Sequence, residues 1–201
     1  NEVRIAMTSA RTQRVVVAIA SGKGGVGKST VAVNLAAALS ARGLSVGILD
    51  ADVYGPSLPT MLGISGQPAY EDGAIVPHLA HGLKAMSVGL LTKLDDAMIW
   101  RGPMASQAIT QMLTQTRWAT ADAPLDVLVV DLPPGTGDVQ LSMLSAHKPD
   151  GAVLVSTPQD LALIDAARAG QMFEQGNVPI IGLVENMAGY ECPHCGEVSD
   201  P

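Results

Sequence analysis

The residues with the clearest chemistry are Gly22-Lys23-Gly24-Gly25-Val26-Gly27-Lys28-Ser29-Thr30, which hold the spacing Gly-x-x-x-x-Gly-Lys-Ser. In that pattern consecutive backbone N–H groups converge on phosphate oxygens, with Lys28 directed at the β- and γ-phosphates and Ser29 at a Mg2+ ion. The apolar run Val15 to Ala20 precedes the loop and a helical pattern opens at Lys28. A strand therefore feeds a loop that feeds a helix, and the N-terminal partial charge of that helix adds to the pull on an anion. The chemistry implied is binding of a nucleoside triphosphate, with hydrolysis.

Two further strand ends carry carboxylates. Val127-Leu128-Val129-Val130-Asp131 is apolar until its last residue, the position from which an aspartate holds the Mg2+ shell in P-loop enzymes. Pro133-Pro134-Gly135-Thr136-Gly137-Asp138 follows, stiff at its prolines and mobile at its glycines, as a loop that senses a γ-phosphate must be. The run from Ser45 to Leu49 ends in Asp50-Ala51-Asp52, where one carboxylate can reach the metal's water shell and the other can orient an attacking water. An aspartate at such a place also serves simply as a cap.

The chain has two cysteines, in Cys192-Pro193-His194-Cys195-Gly196. A pair at this spacing presents two thiolates to one metal, and a four-ligand zinc or iron–sulfur site needs two more donors. His194 is either one of these or an exposed loop histidine. A zinc knuckle and a redox pair are open alternatives. His78, His81 and His147 show no ligand spacing.

These groups need a scaffold that collects strand ends. Apolar runs at Val15 to Ala20, Ser45 to Leu49, Val127 to Val130, Ala152 to Ser156 and Ile180 to Val184 are continuous, as in strands buried on both faces. Helical patterns lie between them at Lys28 to about Ala41, Met104 to Gln115, Val139 to Ser145 and Leu161 to Gln175. The alternation predicts an α/β fold, a doubly wound and mainly parallel sheet flanked by helices, with ligands at the carboxyl ends of the strands. The segment 53–101 is less regular, with short strands expected at Ala74 to Val76 and Leu83 to Ser87.

With 201 residues and 47% hydrophobic content, the chain can bury one substantial core. The formal charge of −7 argues against a nucleic-acid surface, which needs clustered Lys and Arg. Neither a membrane-spanning apolar run nor a signal-peptide pattern is visible, so the expected partners include no nucleic acid and no membrane, and the expected compartment is the cytoplasm. Residues 1–14 read as a linker or the end of a preceding domain, and 15–201 as one ATPase domain shortened at its C-terminus.

The second lysine, Lys23, makes Lys-Gly-Gly-Val-Gly-Lys-Ser-Thr resemble the deviant Walker A ATPases, among them MinD, ParA and the nitrogenase iron protein. The resemblance implies that Lys23 crosses to phosphates bound by a partner subunit, so that ATP drives face-to-face dimerisation; otherwise Lys23 is a solvated loop charge. Within that class, Asp50-Ala51-Asp52-Val53-Tyr54-Gly55-Pro56-Ser57, Trp100-Arg101-Gly102-Pro103-Met104, Asp131 to Asp138 and the late Cys-Pro-His-Cys-Gly are similar to the Mrp/ApbC family. The similarity runs from about Val15 to the end, and Val3 to Arg11 resembles the end of a small domain that precedes the ATPase in many bacterial members.

This resemblance implies a catalytic set of Lys23, Lys28 and Asp52. Mg2+ would be held by Ser29 with Asp50 and Asp131, and adenine would be recognised by Asn186 unless that residue only caps a turn. It also implies an ATPase that carries an iron–sulfur cluster to apo-proteins. Cys192 and Cys195 of two chains meeting at a symmetry axis would supply four thiolates to one bridging cluster, of the 4Fe-4S type, in a homodimer. Trp100-Arg101 has two readings, a nucleotide or partner contact for the arginine and a core position for the tryptophan. The competing functions are a MinD- or ParA-like positioning ATPase and a scaffold that binds nucleotide without turnover.

Overall fold

The continuous aliphatic runs become the middle of a sheet. In chain order the elements are β1 (Val15–Ala20), α1 (Lys28–Ala41), β2 (Val46–Asp50), α2 (Leu58–Leu62), β3 (Tyr70–Glu71), β4 (Ala74–Ile75), β5 (His78–Ala80) and β6 (Leu83–Ser87), followed by α3 (Gly102–Gln115), β7 (Val127–Asp131), α4 (Asp138–Ala146), β8 (Gly151–Ser156), α5 (Asp160–Gln175), β9 (Ile180–Glu185), β10 (Tyr190–Glu191) and β11 (Val198–Ser199). This computed structural model describes residues 14–91 and 102–199. Trp100, Arg101 and the stretch Val3 to Arg11 lie outside the described residues.

Among the described residues seven strands form the main sheet, in the order β5-β6-β2-β7-β1-β8-β9. All neighbours run parallel except β5, which is antiparallel to β6. The order places β1, which delivers the phosphate loop, between β7 and β8. Register then brings the chemistry together: Asp50 at the end of β2 pairs with Asp131 at the end of β7, and Asp131 pairs with Ile19 of β1. Three strand ends thus open on one point, as expected for ligand sites in open α/β sheets.

The period-two alternation of β1 explains the two layers. Val17 and Ile19 pack with Ala32 and Ala36 of α1 and Leu58 and Leu62 of α2. Ala18 and Ala20 face the opposite way, into a cluster with Ile109 and Met112 of α3, Met143 of α4 and Phe173 of α5. Each Leu, Ile or Phe fully buried here stabilises the fold by roughly 1.5–3 kcal/mol. Trp118 is buried among them, its indole N–H satisfied by the Met112 carbonyl at 3.0 Å.

The irregular segment holds more structure than its sequence pattern foretells. Asp72 and Gly73 both have positive φ, 48° and 77°, and join β3 to β4 as a two-residue hairpin turn. His81 and Gly82, at 52° and 77°, do the same between β5 and β6, so the strand expected at Leu83 to Ser87 has an unforeseen antiparallel partner. No helix among the described residues is long and apolar enough to cross a membrane.

Candidate functional site

The phosphate loop begins where β1 ends. Ser21 is fully buried, and at Gly22 an added Cβ would run into the backbone of Asp165 in α5, so only glycine lets the loop leave the sheet beside that helix. Gly25 and Gly27 take φ of 79° and 84°, a region that residues with a Cβ rarely enter. Gly27 is the N-cap of α1 and brings no side chain to its free N–H groups, which stay available to an anion.

A cavity of about 330 Å3 lies over this helix start. Ser21, Lys23, Gly24, Gly25, Gly27, Lys28, Ser29 and Thr30 line it, together with Asp52, Gly55, Ser57, Met61 and Pro134. Of the residues expected to bind nucleotide, Asp52 and the loop, apart from Gly22 and Val26, share this one space. Asp50, Asp131, Asn186 and the two cysteines do not line it.

Lys28 is the centre of charge. Its side chain is only 6% exposed, with Nζ 2.6 Å from Asp131 Oδ1, 3.5 Å from Asp52 Oδ2 and 3.4 Å from Ser29 Oγ. Burial raises the Asp131 pKa, and the Lys28 ammonium works against that rise. The second Asp131 oxygen, Oδ2, is buried without a hydrogen-bond partner. Asp50 is also fully buried, and burial followed by the like charge of Asp131 pushes its pKa up to about 6.

Asp50 is held by its neighbours. Oδ1 accepts from the Asp52 N–H at 3.0 Å, while Oδ2 accepts from the Leu58 N–H at 3.2 Å and from the Ser87 hydroxyl at 3.0 Å. Asp52 in turn accepts from the N–H groups of Tyr54 and Gly55 through Oδ1, leaving Oδ2 toward Lys28 and the cavity. Asp50 thus fixes the loop that carries Asp52. Two carboxylates share the one Lys28 ammonium and Asp50 lies beside Asp131 in register, which leaves excess negative charge, and the unpartnered Asp131 oxygen adds a free donor atom, so the residues present fit a divalent cation.

Asn186 lies just past β9 and donates its side-chain amide to the Val26 carbonyl at 2.9 Å. The amide that the sequence reading directs at adenine here braces the back of the phosphate loop. Ser87 and Gln140 were not foreseen. Ser87 ends a strand that is apolar but for Lys84, a weaker form of the signal that marks Asp50 and Asp131, whereas Gln140 shows only as a polar residue inside an apolar helical pattern.

Cys192 and Cys195 sit in the loop between β10 and β11, closed by hydrogen bonds from the Cys192 N–H to the Glu197 carbonyl and from the Gly196 N–H to the Cys192 carbonyl. Both thiols are free, Cys192 half-buried and Cys195 exposed. Backbone N–H groups of Cys195 and His194 lower the Cys192 pKa, the environment that favours a thiolate ligand. Among the described residues no three His, Cys, Asp or Glu side chains gather as a metal cluster, and Cys192 and Cys195 stand as a pair of sulfur donors.

The family model described as ParA, the NUBPL iron-transfer P-loop NTPase, matches residues 12–201. The chain belongs to this NUBPL iron-transfer P-loop NTPase family. An iron–sulfur cluster carrier protein of Escherichia coli is 55% identical over 183 residues, covering 90% of this chain and 48% of its own length. The iron–sulfur cluster transfer protein NUBPL of Dictyostelium discoideum is 51% identical, covering 90% and 56%. The chain therefore spans about half the length of these curated NUBPL-family relatives. A nucleotide-binding protein from Archaeoglobus fulgidus, solved in complex with ADP, superposes with a TM-score of 0.78 at 42% identity over 92% of this chain and 72% of that one. The cell division ATPase MinD of Pyrococcus furiosus has a TM-score of 0.66 at 23% identity, covering 87% and 73%, a likeness of fold alone.

Proposed function

We propose that this chain binds ATP with Mg2+ and hydrolyses it slowly, as the switch of a homodimer that carries an iron–sulfur cluster and hands it to apo-proteins. The observation that carries the nucleotide half is Lys28, held by Asp131 and Asp52 beneath a cavity of about 330 Å3 at the start of α1. Phosphate oxygens would draw Lys28 off Asp131, freeing that carboxylate and Ser29 for Mg2+, whose chemistry is to neutralise charge developing on the transferred phosphoryl group. Asp52 Oδ2 faces the same cavity and would orient the attacking water, with Asp50 holding the Asp52 loop. Lys23, on the cavity rim, would reach phosphates in the partner subunit. Asn186 would act on the nucleotide through the loop it braces.

The cluster is the cargo. Cys192 and Cys195 provide two donors, and a second copy related by a two-fold axis would provide the other two, as thiols kept reduced in the cytoplasm. The names of the relatives favour this reading over zinc. A positioning ATPase on membrane or DNA draws only on the MinD-like fold, and the formal charge of −7 speaks against it.

The test is anaerobic reconstitution with iron and sulfide, followed by transfer to an apo-acceptor with and without ATP. Visible absorbance that bleaches with oxygen, two chains per cluster and ATP-dependent transfer are expected. Protein that keeps stoichiometric zinc and takes up no cluster would overturn the reading.

A further inference from the structure

One buried side chain outside the phosphate loop gathers three successive carbonyls beside it. Gln140, in the first turn of α4, is 2% exposed, and its Nε2 donates to the carbonyls of Pro133, Pro134 and Gly135 at 2.7, 3.2 and 3.1 Å. Three acceptors at that end fix the amide with its NH2 toward the loop. Pro133 and Pro134 have no N–H of their own, so this stretch has few means of stapling itself.

The contact continues toward the nucleotide cavity. The Gly135 N–H donates to the Ser21 carbonyl at 2.8 Å, and the Ser21 hydroxyl donates to the Lys23 carbonyl at 2.9 Å. Pro134 lines the cavity itself. An unbroken chain of hydrogen bonds therefore runs from α4 to the front edge of the phosphate loop. The base of the chain is anchored, because Ser142 of α4 is hydrogen-bonded to Ser106 of α3 through their hydroxyls at 2.9 Å.

We propose that Gln140 is a positioning residue: it latches loop 133–135 against the phosphate loop and, through Gly135 and Ser21, sets the placement of Lys23. The latch stands on these hydrogen bonds alone; only its effect on turnover rests on the function proposed above. A buried glutamine that merely filled space would leave loop exchange and turnover no more affected than the rest of the protein. One that acts as a latch ties both to its NH2 group.

The test compares wild type with Gln140→Leu, of similar size but without the donor, and with Gln140→His, whose Nε2–H has a similar reach. Hydrogen exchange at the Gly135 amide, ADP affinity and ATP turnover are measured for each. In Gln140→Leu, Gly135 exchange should quicken and turnover fall by about tenfold each, the scale of one lost buried hydrogen bond, while amides of β1 and β7 stay protected and ADP affinity holds within about threefold. Gln140→His should restore both. If Gln140→Leu does not fold, Gln140→Glu, isosteric but placing an acceptor against the carbonyls, should show the same local change.

Unchanged Gly135 exchange, uniform quickening across the sheet, or failure of Gln140→His to restore the loop would each overturn the latch. A wild type without turnover would sink the proposed ATPase function instead, and the exchange measurements would still decide the latch.

Discussion

The Lys28 ammonium lies 2.6 Å from Asp131 Oδ1, both side chains almost wholly buried, so the lysine proposed to bind phosphate is paired with the carboxylate proposed to serve the metal. Each group holds the other in a place where neither could stay charged alone. Nucleotide binding as proposed above would then be an exchange of partners, in which lysine goes to phosphate and carboxylate to cation.

Lys28→Met should therefore lower the stability of the fold as well as nucleotide binding. Removing the cation leaves Asp131 buried beside Asp50 and without its counter-charge. Breaking a buried pair in this way costs roughly 3–5 kcal/mol, visible as a lower denaturation midpoint. Adding Asp131→Asn should recover part of that loss but no ADP binding. Calorimetric titration showing ADP affinity preserved in Lys28→Met would refute the assignment of Lys28.

Asp50 gives a pH signature. Its pKa is pushed from 3.8 to about 6, so the folded protein holds this proton more tightly than the unfolded chain does. The stability linked to Asp50 is fully present below pH 3.8, declines as pH rises to about 6, and is flat above. Asp131, raised by burial, acts in the same direction. A carbon-13 titration of the Asp50 carboxyl should show a midpoint near 6, with denaturant-measured stability losing this contribution across the same window. A midpoint at or below the ordinary 3.8 would contradict the burial described.

These features differ in how far sequence discloses them. The strands and the phosphate loop are legible because their signals are local: continuous aliphatic runs, and a glycine-lysine-serine spacing whose meaning lies within nine residues. The strand-end aspartates are legible as candidates for the same reason. Their division of labour is not, because it depends on partners far along the chain: Ser87 is 37 residues from Asp50, and Lys28 is 103 from Asp131. Strand β5 escaped because a His81-Gly82 turn replaces the Asn-Gly or Asp-Gly pair that usually announces a hairpin. The contact of the Asn186 amide with the Val26 carbonyl, 160 residues away in the chain, is likewise invisible to local pattern.

Two neighbouring glycines should respond differently to the same change. At Gly22 an added Cβ meets the backbone of Asp165, which cannot rotate aside, so Gly22→Ala must displace either the loop or α5. Overpacking of this kind costs about 1–3 kcal/mol and here also shifts the phosphate loop, so both melting temperature and ADP affinity should fall. At Gly24 the nearest atom is a Pro134 ring carbon at 4.0 Å, and Gly24→Ala should keep the wild-type melting temperature. Equal melting losses would mean that the contact with α5 does not set the loop's position.

Cys192→Ala separates the two halves of the proposed function. The hydrogen bonds of the cysteine loop are closed within the hairpin of β10 and β11, and no residue of that hairpin lines the nucleotide cavity. The substitution removes half of one chain's donors while leaving the Lys28, Asp52 and Asp131 cluster untouched. Cluster uptake on anaerobic reconstitution should be lost, with ADP affinity staying within about twofold, as expected for sites that share no partners. Lys28→Met should give the reverse pattern in the monomer: no ADP binding, but thiols still titratable with a thiol reagent. If both variants lost nucleotide binding equally, the cysteines would have to be part of the nucleotide site, and the picture of a control end and a separate cargo end would fail.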